Sequence, residues 1–330
     1  MAISNASDFK IYQEQFFGGM TETLQQATDV MNEASRGAIA MRTERMKGDY
    51  EYESFFKQVS LVTRQDITSN SGVTPVKLTQ DENISVKLHR KIGPLSVTRK
   101  AFLQMGESPE LASFIFGQQA AQEVAENMLN AGLLAARVAL VTASSGAVMN
   151  DVTASASVSC THKNLINTLR LFGDKQNRIA AWVMHSTQWF DLGVDGVENQ
   201  IDGIANDIIR VLDIPGMGRP IIVTDSPSLI ATADTPDSYF VLGLTQMGIQ
   251  AVFTEDQYIA TDEILGNEQI EQMIQGEYAF NLGLKGFKWD VANGAANPDD
   301  TALGTGSNWD KVATSNKDLA GVVLKCQAAT

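Results

Sequence analysis

SPELASFIFGQQAAQEVAENMLNAGLLAARVALVT, Ser108–Thr142, is the stretch on which the fold turns. Ser108 is an N-cap residue, Pro109 fits the first helical position and Glu110 puts an acid in the first turn. No further proline interrupts, so the stretch predicts a single helix of about 30 residues, roughly 45–50 Å long at 1.5 Å per residue. Average helices run only about three turns. Leu111, Ile115, Gln118, Gln122, Ala125, Leu129, Gly132 and Ala136 mark one face, rich in small residues toward its end. A helix this long serves as a backbone for other elements. TASSGAVMND, Thr142–Asp151, breaks it.

Upstream the period changes. In NISVKLHRKI, Ile84, Val86 and Leu88 alternate with Ser85, Lys87 and His89, the two-residue period of a half-exposed strand. QVSLVTRQDI, Gln58–Ile67, is a second β-rich run, and TSNSGVTP, Thr68–Pro75, is turn chemistry. Together they predict a long two-stranded hairpin that must lean on another surface, because a lone hairpin is marginal in water. Before it, MTETLQQATDVMNEA, Met20–Ala34, is helical, with Leu24, Ala27, Val30 and Met31 on one face, and MRTERMKGD, Met41–Asp49, is charged. Both read as an arm outside the core.

Downstream, helix and strand alternate. THKNLINTLRLFGD (Thr161–Asp174) is an amphipathic helix with Leu165, Ile166, Leu169 and Phe172 inward, and IAAWVMH (Ile179–His185) is a buried strand. Gly-interrupted helix follows, then a strand at Pro220–Thr224. DSYFVLGLTQMGIQAVF (Asp237–Phe253) and EQMIQGEYAFNLGLKGFKWDV (Glu271–Val291) read as two paired-strand units. The tail after Val291 is loop-like until LAGVVLKCQA, Leu319–Ala328, a last strand. The class is mixed, α+β.

The 330 residues suffice for a large core without staples. Cys160 and Cys326 stand far apart with no CxxC pair or Cys/His cluster, so neither a disulfide framework nor a zinc site is expected, and no cofactor. The first residues lack the basic and apolar regions of an export signal, and no run of about 18 apolar residues predicts a membrane span. The net charge of −14 opposes tight binding to phosphate backbones. Charge is uneven, however. Residues 57–100 hold eight Lys/Arg against three acids, whereas 254–277 hold seven acids and no Lys or Arg. Lys77, Lys87, Arg90 and Lys91 therefore face Glu255, Asp256, Asp262 and Glu263 as candidate complementary partners, within one subunit or between two.

Chemistry-like signals are weak. His185, Ser186 and Asp191 crowd AAWVMHSTQWFDLG (Ala180–Gly193), but Ser186 lacks the glycine-flanked elbow of a nucleophile and reads as an N-cap. GMGRP, Gly216–Pro220, lacks the Lys-Ser/Thr of a phosphate loop and precedes a strand. The residues offer no catalytic, cofactor-binding or metal set.

Taken in order, these parts resemble the major capsid proteins of tailed bacteriophages, with the Hong Kong 97-like fold. The strand-then-helix AAWVMHSTQWFDL and the strands of GRPIIVTDSPS and SYFVLGLTQMGI are similar to local patterns of that family; Met247-Gly248 stands where the family has glycine-alanine. The resemblance implies an N-terminal arm (1–56), an extended β-hairpin or E-loop (57–105), a peripheral domain with a spine helix (106–159), an α/β axial domain (160–270) and a return to the peripheral domain with a C-terminal extension (271–330). It implies a structural protein, not an enzyme, that self-assembles through pentamers and hexamers into an icosahedral shell around double-stranded DNA. Packaged DNA would be touched only weakly. Portal, scaffold and decoration proteins would be partners, a membrane would not, and the virion, assembled in the bacterial host cytoplasm, would be its place. Some relatives crosslink an E-loop lysine to a neighbour's asparagine; Lys77 and Lys87 lie in that region, but no crosslink is expected. An encapsulin-like compartment shell shares the fold, and an α/β enzyme with a site near His185 is the competing class.

Overall fold

The computed structural model describes residues 6–98 except 58, 60, 63, 66 and 70; 109–201 except 156; 218–265 except 233, 256 and 257; 268; and 271–329. Two sheets share one continuous core around a long helix. In chain order the helices are α1 (Ala6–Ala34), α2 (Pro109–Val138), α3 (His162–Arg170), α4 (Ser186–Ile201) and the short α5 (Asp300–Leu303). The strands are β1 (Ile39–Thr43), β2 (Tyr50–Phe56), β3 (Gln80–Thr98), β4 (Met149–Asp151), β5 (Ile179–Met184), β6 (Ile221–Val223), β7 (Ile230–Ala231), β8 (Ser238–Thr245), β9 (Ile249–Phe253), β10 (Tyr258–Ile264), β11 (Glu271–Leu284), β12 (Phe287–Trp289), β13 (Trp309–Lys311) and β14 (Gly321–Gln327).

The first sheet is organised on β11. Its first half lies between β10 and β3, its second half between β9 and β3, and all three strands run antiparallel to it. β2 extends β3 outward as the hairpin, with Tyr50 opposite Val86 and Phe56 opposite Gln80. Ile84, Val86 and Leu88 are buried as the alternation predicts. The outgoing strand is not the one expected. β2 precedes Gln58–Ile67, and the described residues of 57–79 form no strand. β-propensity alone does not make a strand, because its gain comes from a partner's side chains. Nor is the region before the hairpin wholly external. β1 pairs parallel with β9, and Ile39 and Met41 are buried, a period-two pattern hidden among charged neighbours.

α2 continues as a π-helical turn, Ala139–Ala143. Its buried face runs through Gly117, Ala121, Val124 and Met128, so the first half is rotated from the expected face, with Ile115 and Gln122 exposed, while Leu129, Gly132 and Ala136 are buried as expected. Close approach of α1 sets that rotation. A Cβ on Gly117 would collide with the Phe16 carbonyl oxygen, and one on Gly19 would stand 2.6 Å from that of Phe114. The helices meet glycine to backbone. Gly117→Val is therefore expected to lever α1 off α2 and destabilise the fold by about 1–3 kcal/mol, seen as a lowered unfolding temperature and faster proteolysis within α1. By length and apolarity Ser113–Ala143 passes as a membrane span, contrary to expectation, but most of it is buried in the core.

The second sheet runs β4-β14-β8-β5-β6, with β7 on β8. α3 is capped by Thr161, whose side chain accepts from the Asn164 N–H; Leu165, Leu169 and Phe172 are buried, while Ile166 faces solvent. The expected pairing of the two halves of Asp237–Phe253 does not occur. β8 belongs to the second sheet and β9 to the first, and the turn between them is pinned from both sides: Thr245 N–H donates to Ala320 O (2.8 Å), Met247 N–H to Gly37 O (2.7 Å). Met247 takes φ +56° there. The closing segment is core, not an extension. β14 lies between β4 and β8, and Trp309 stacks edge-on against Trp289 at 5.0 Å, both buried.

Candidate assembly surfaces

His185 and Ser186 meet Asp225 and not Asp191, whose Oδ2 accepts from the Ala329 N–H at 3.0 Å, and the order is wrong for nucleophilic chemistry. α4 starts at Ser186, so His185 holds the cap position expected of the serine; its Nδ1 accepts from the Thr187 N–H at 3.2 Å. The Ser186 hydroxyl and backbone N–H both serve Asp225, and these bonds hold the Asp225 carboxyl below its usual range. The serine hydroxyl is thus bonded to Asp225 and not to the imidazole, whose Nδ1 is taken by the helix end and whose Nε2 lies 3.6 Å from Asp225 Oδ1, so the serine–histidine contact of a nucleophile and its base is not made. The corner is a helix cap. Among the described residues no group of three His, Cys, Asp or Glu side chains gathers as a metal site would. A cleft of about 490 Å³ between α1 and β1 is lined by Phe17, Leu24, Met41 and Phe253 with Arg42 and Glu255, and its lining contains neither His185 nor Ser186.

The basic and acidic segments meet inside one chain. β3 carries the lysines along one edge of β11, placing Lys91 opposite Glu277, while β10 lies along the other edge. Lys87, read as exposed, is only 4% exposed and pairs with Glu255 through its ammonium. Arg90 pairs with Asp300 at 2.5 Å, and the His89 N–H donates to Asn297 Oδ1 at 2.8 Å. These tail partners, more than 200 positions away, left no sequence signal. Lys77 and Lys91 are exposed, as is Asp262 on β10; Glu263 also lies on β10, and Asp256 falls outside the described residues. Lys87 also reaches its burial with polar company: across the strands at Asn281, the side-chain N–H donates to Glu51 Oε2 (2.6 Å) and Ser85 Oγ (2.7 Å).

The hydrogen bond and charge of Lys87 hold the Glu255 carboxyl below its usual 4.5. A depressed folded value adds stability above the unfolded value that is lost as pH falls through the folded one. Unfolding temperature is thus expected to drop below about pH 4.5 in the parent, and Glu255→Gln to lack that part of the acid slope.

The hairpin carries an apolar loop at its end that no periodicity in the sequence marks. The Lys57 N–H to Thr79 O bond (2.9 Å) closes the base of the loop 57–79. Beyond it, Leu61, Val62, Ile67 and Val73 are 79%, 91%, 89% and 89% exposed, and Phe56 on β2 is 67% exposed. Scattered single apolar residues on a surface mean little, but so many on one projecting loop mark an interaction surface.

A two-sheet core threaded by a long helix, with a projecting hairpin, is the architecture of the Hong Kong 97-like capsid fold. Residues 8–323 match the Gp13-like family, described as major capsid protein 13-like, and the chain belongs to that family. Solved structures agree on the fold. The capsid asymmetric unit of cyanophage Pam1 aligns at 11% identity and TM-score 0.53, over 88% of each chain. The capsid of Ralstonia phage GP4 aligns at 8% identity and TM-score 0.52, over 89% of this chain and 88% of that one. A chain of Mycobacterium phage Bobi aligns at 12% identity and TM-score 0.53, over 90% and 91%. No curated protein matches the sequence.

Proposed function

We propose that the chain is the repeating subunit of a bacteriophage head, self-assembling through pentamers and hexamers into an icosahedral shell around double-stranded DNA. The observation that carries this is the row of exposed aliphatic side chains on the loop 57–79. Such a row is soluble at virion concentrations only when a neighbour covers it, and a closed symmetric shell gives every copy the same neighbour. Family membership supports the reading. In it, residues up to 56 act as an arm, the hairpin as the E-loop, α2 as the spine, the second sheet as the axial domain and β11 onward as the return to the peripheral domain. Portal, scaffold and decoration proteins would be further partners, and assembly would take place in the host cytoplasm.

Of the charged candidates, Lys77 and Lys91 with Asp262 and Glu263 serve contacts between subunits in this reading. Lys87, Arg90 and Glu255 are committed within their own chain. The net charge of −14 leaves packaged DNA only weakly held. Neither an encapsulin-like compartment nor an enzyme is favoured, because the family match over residues 8–323 supports a phage capsid protein over both. The test is the protein expressed alone, followed by negative-stain electron microscopy and light scattering on a sizing column. Closed shells or rings of five and six subunits are expected; a monomer or dimer in every buffer would overturn the proposal.

A further inference from the structure

Turns from distant parts of the chain meet at the end of β11, where Lys285 follows Leu284. The Lys285 N–H donates to Gly248 O (3.1 Å) and its ammonium to Gln246 O (3.1 Å), while the Met247 N–H of the same turn reaches Gly37 O (2.7 Å). Beside Gly37, Arg36 donates to Gly218 O (3.3 Å), and Arg219 holds Gln176 O (3.0 Å) and Ile179 O (2.9 Å). In the turn Gly173–Arg178, Lys175 and Arg178 both pair with Asp318, and Lys317 reaches back to Asp174. A Cβ on Gly286 would stand 3.1 Å from Asp318 O, so this turn adjoins Lys285. The contacts gather Arg36, Lys175, Arg178, Arg219, Lys285 and Lys317 around Asp174 and Asp318, on a chain of net charge −14. Burial, and after it the charge of Arg178, pushes the Lys285 ammonium below its usual range, so like charges crowd here.

The other end of β11 carries the opposite sign. The strand spans 14 residues, so its ends lie roughly 45 Å apart at about 3.4 Å per residue. Along its first half and on β10 and the turn between them, Asp262, Glu268 and Glu277 are exposed, with Lys91 opposite Glu277. Both surfaces are fixed to one sheet, so a single chain cannot bring them together. We propose that the cationic end of one copy docks, head to tail, on the acidic β10 and first half of β11 of a second copy. A patch that meets a different patch makes a heterologous contact, which closes into a ring when the rotation allows. Each surface interleaves the two signs, Asp174 and Asp318 among the cations and Lys91 among the acids. That pattern suits a protein partner better than the uniform charge of a DNA backbone. Closure into rings of a shell rests on the proposed function; the contact itself does not.

The experiment uses the full chain and is a charge swap. Arg178→Glu with Lys317→Glu, and separately Asp262→Lys with Glu268→Lys, should each raise the protein concentration needed for association roughly tenfold or more. The chain carrying all four changes should recover. Circular dichroism checks that each variant folds. Should one fail to fold, the parent protein still decides the matter. Labelled and unlabelled copies are mixed at low salt, treated with a carbodiimide and digested for mass spectrometry. Expected are mixed-label peptides joining Lys285 or Lys317 to Asp262, Glu268 or Glu277, lost at raised salt. Absence of any such mixed-label pair would overturn the proposal, and so would reversed variants that associate as the parent does. Shells of normal yield from those variants would sink this contact and leave the proposed function standing. Lysines at this end shielded from acetylation by duplex DNA, and not by a second copy, would assign the patch to nucleic acid and also overturn it.

Discussion

A chain in which Leu61, Val62, Ile67 and Val73 are all serine is expected to stay a folded subunit and to stop forming shells. These side chains contact solvent over most of their surface in the lone subunit, so the fold loses little when they go. Covering each aliphatic side chain gains about 1.5–3 kcal/mol. Four of them represent on the order of 6 kcal/mol or more per contact. Ordering the loop and desolvating its polar backbone consume part of that gain. Even a third of the sum shifts subunit affinity more than tenfold at about 1.4 kcal/mol per decade. A shell repeats the contact at every neighbour, so the effect compounds. Sedimentation and electron microscopy read the assembly, and circular dichroism with thermal unfolding reads the fold. Shells of normal yield from the quadruple variant would remove the loop from the assembly argument.

Lys87 is the position where one charge reversal should cost most. Lys87→Glu sets a carboxylate in a nearly closed site beside Glu255, whose own carboxyl is half exposed. Two like charges then meet where lysine held an ion pair, and about 3–5 kcal/mol of stability is expected to be lost. On a chain of this size that lowers the unfolding temperature by roughly 5–15 °C. Lys87→Met keeps the buried stem and returns Glu255 to water, so it should be close to neutral. Reversal at exposed Lys77, by contrast, should leave the unfolding temperature unchanged. A Lys87→Glu subunit as stable as the parent would show that the pair carries no weight in the fold.

Much of the fold was legible because it rests on local chemistry. Pro109 marks the start of α2 in both sequence and structure, and the alternation of Ile84, Val86 and Leu88 names the buried face of β3. Misreadings arose where distant chain decided. The uneven charge set Lys87 against Glu255, 168 positions on, but nothing near Lys87 announces that the pair is made within one chain with the lysine buried. The rotation of the first half of α2 follows from Gly19 and Gly117, each approaching the backbone of the other helix, which no periodicity within α2 encodes. β8 and β9 look like a hairpin, since the pattern up to Thr245 and beyond Ile249 is that of paired strands. What separates them is competition: β14 and β5 claim β8, while β1 and β11 claim β9. The apolar loop was visible as letters, yet aliphatic residues read as strand interior until the structure left them without a partner strand.

The position of β14 also constrains how the molecule is made. Its neighbours β4 and β8 leave the ribosome well before it, yet neither gains its shared partner until Gly321–Gln327 has emerged. Until then the nascent second sheet shows two unpaired edges and an open core, a state prone to sticking to its like. A polypeptide halted before Gly321 cannot complete that sheet. The burial of β4 and β8 is thus settled late, by one strand that arrives after every other strand of its sheet.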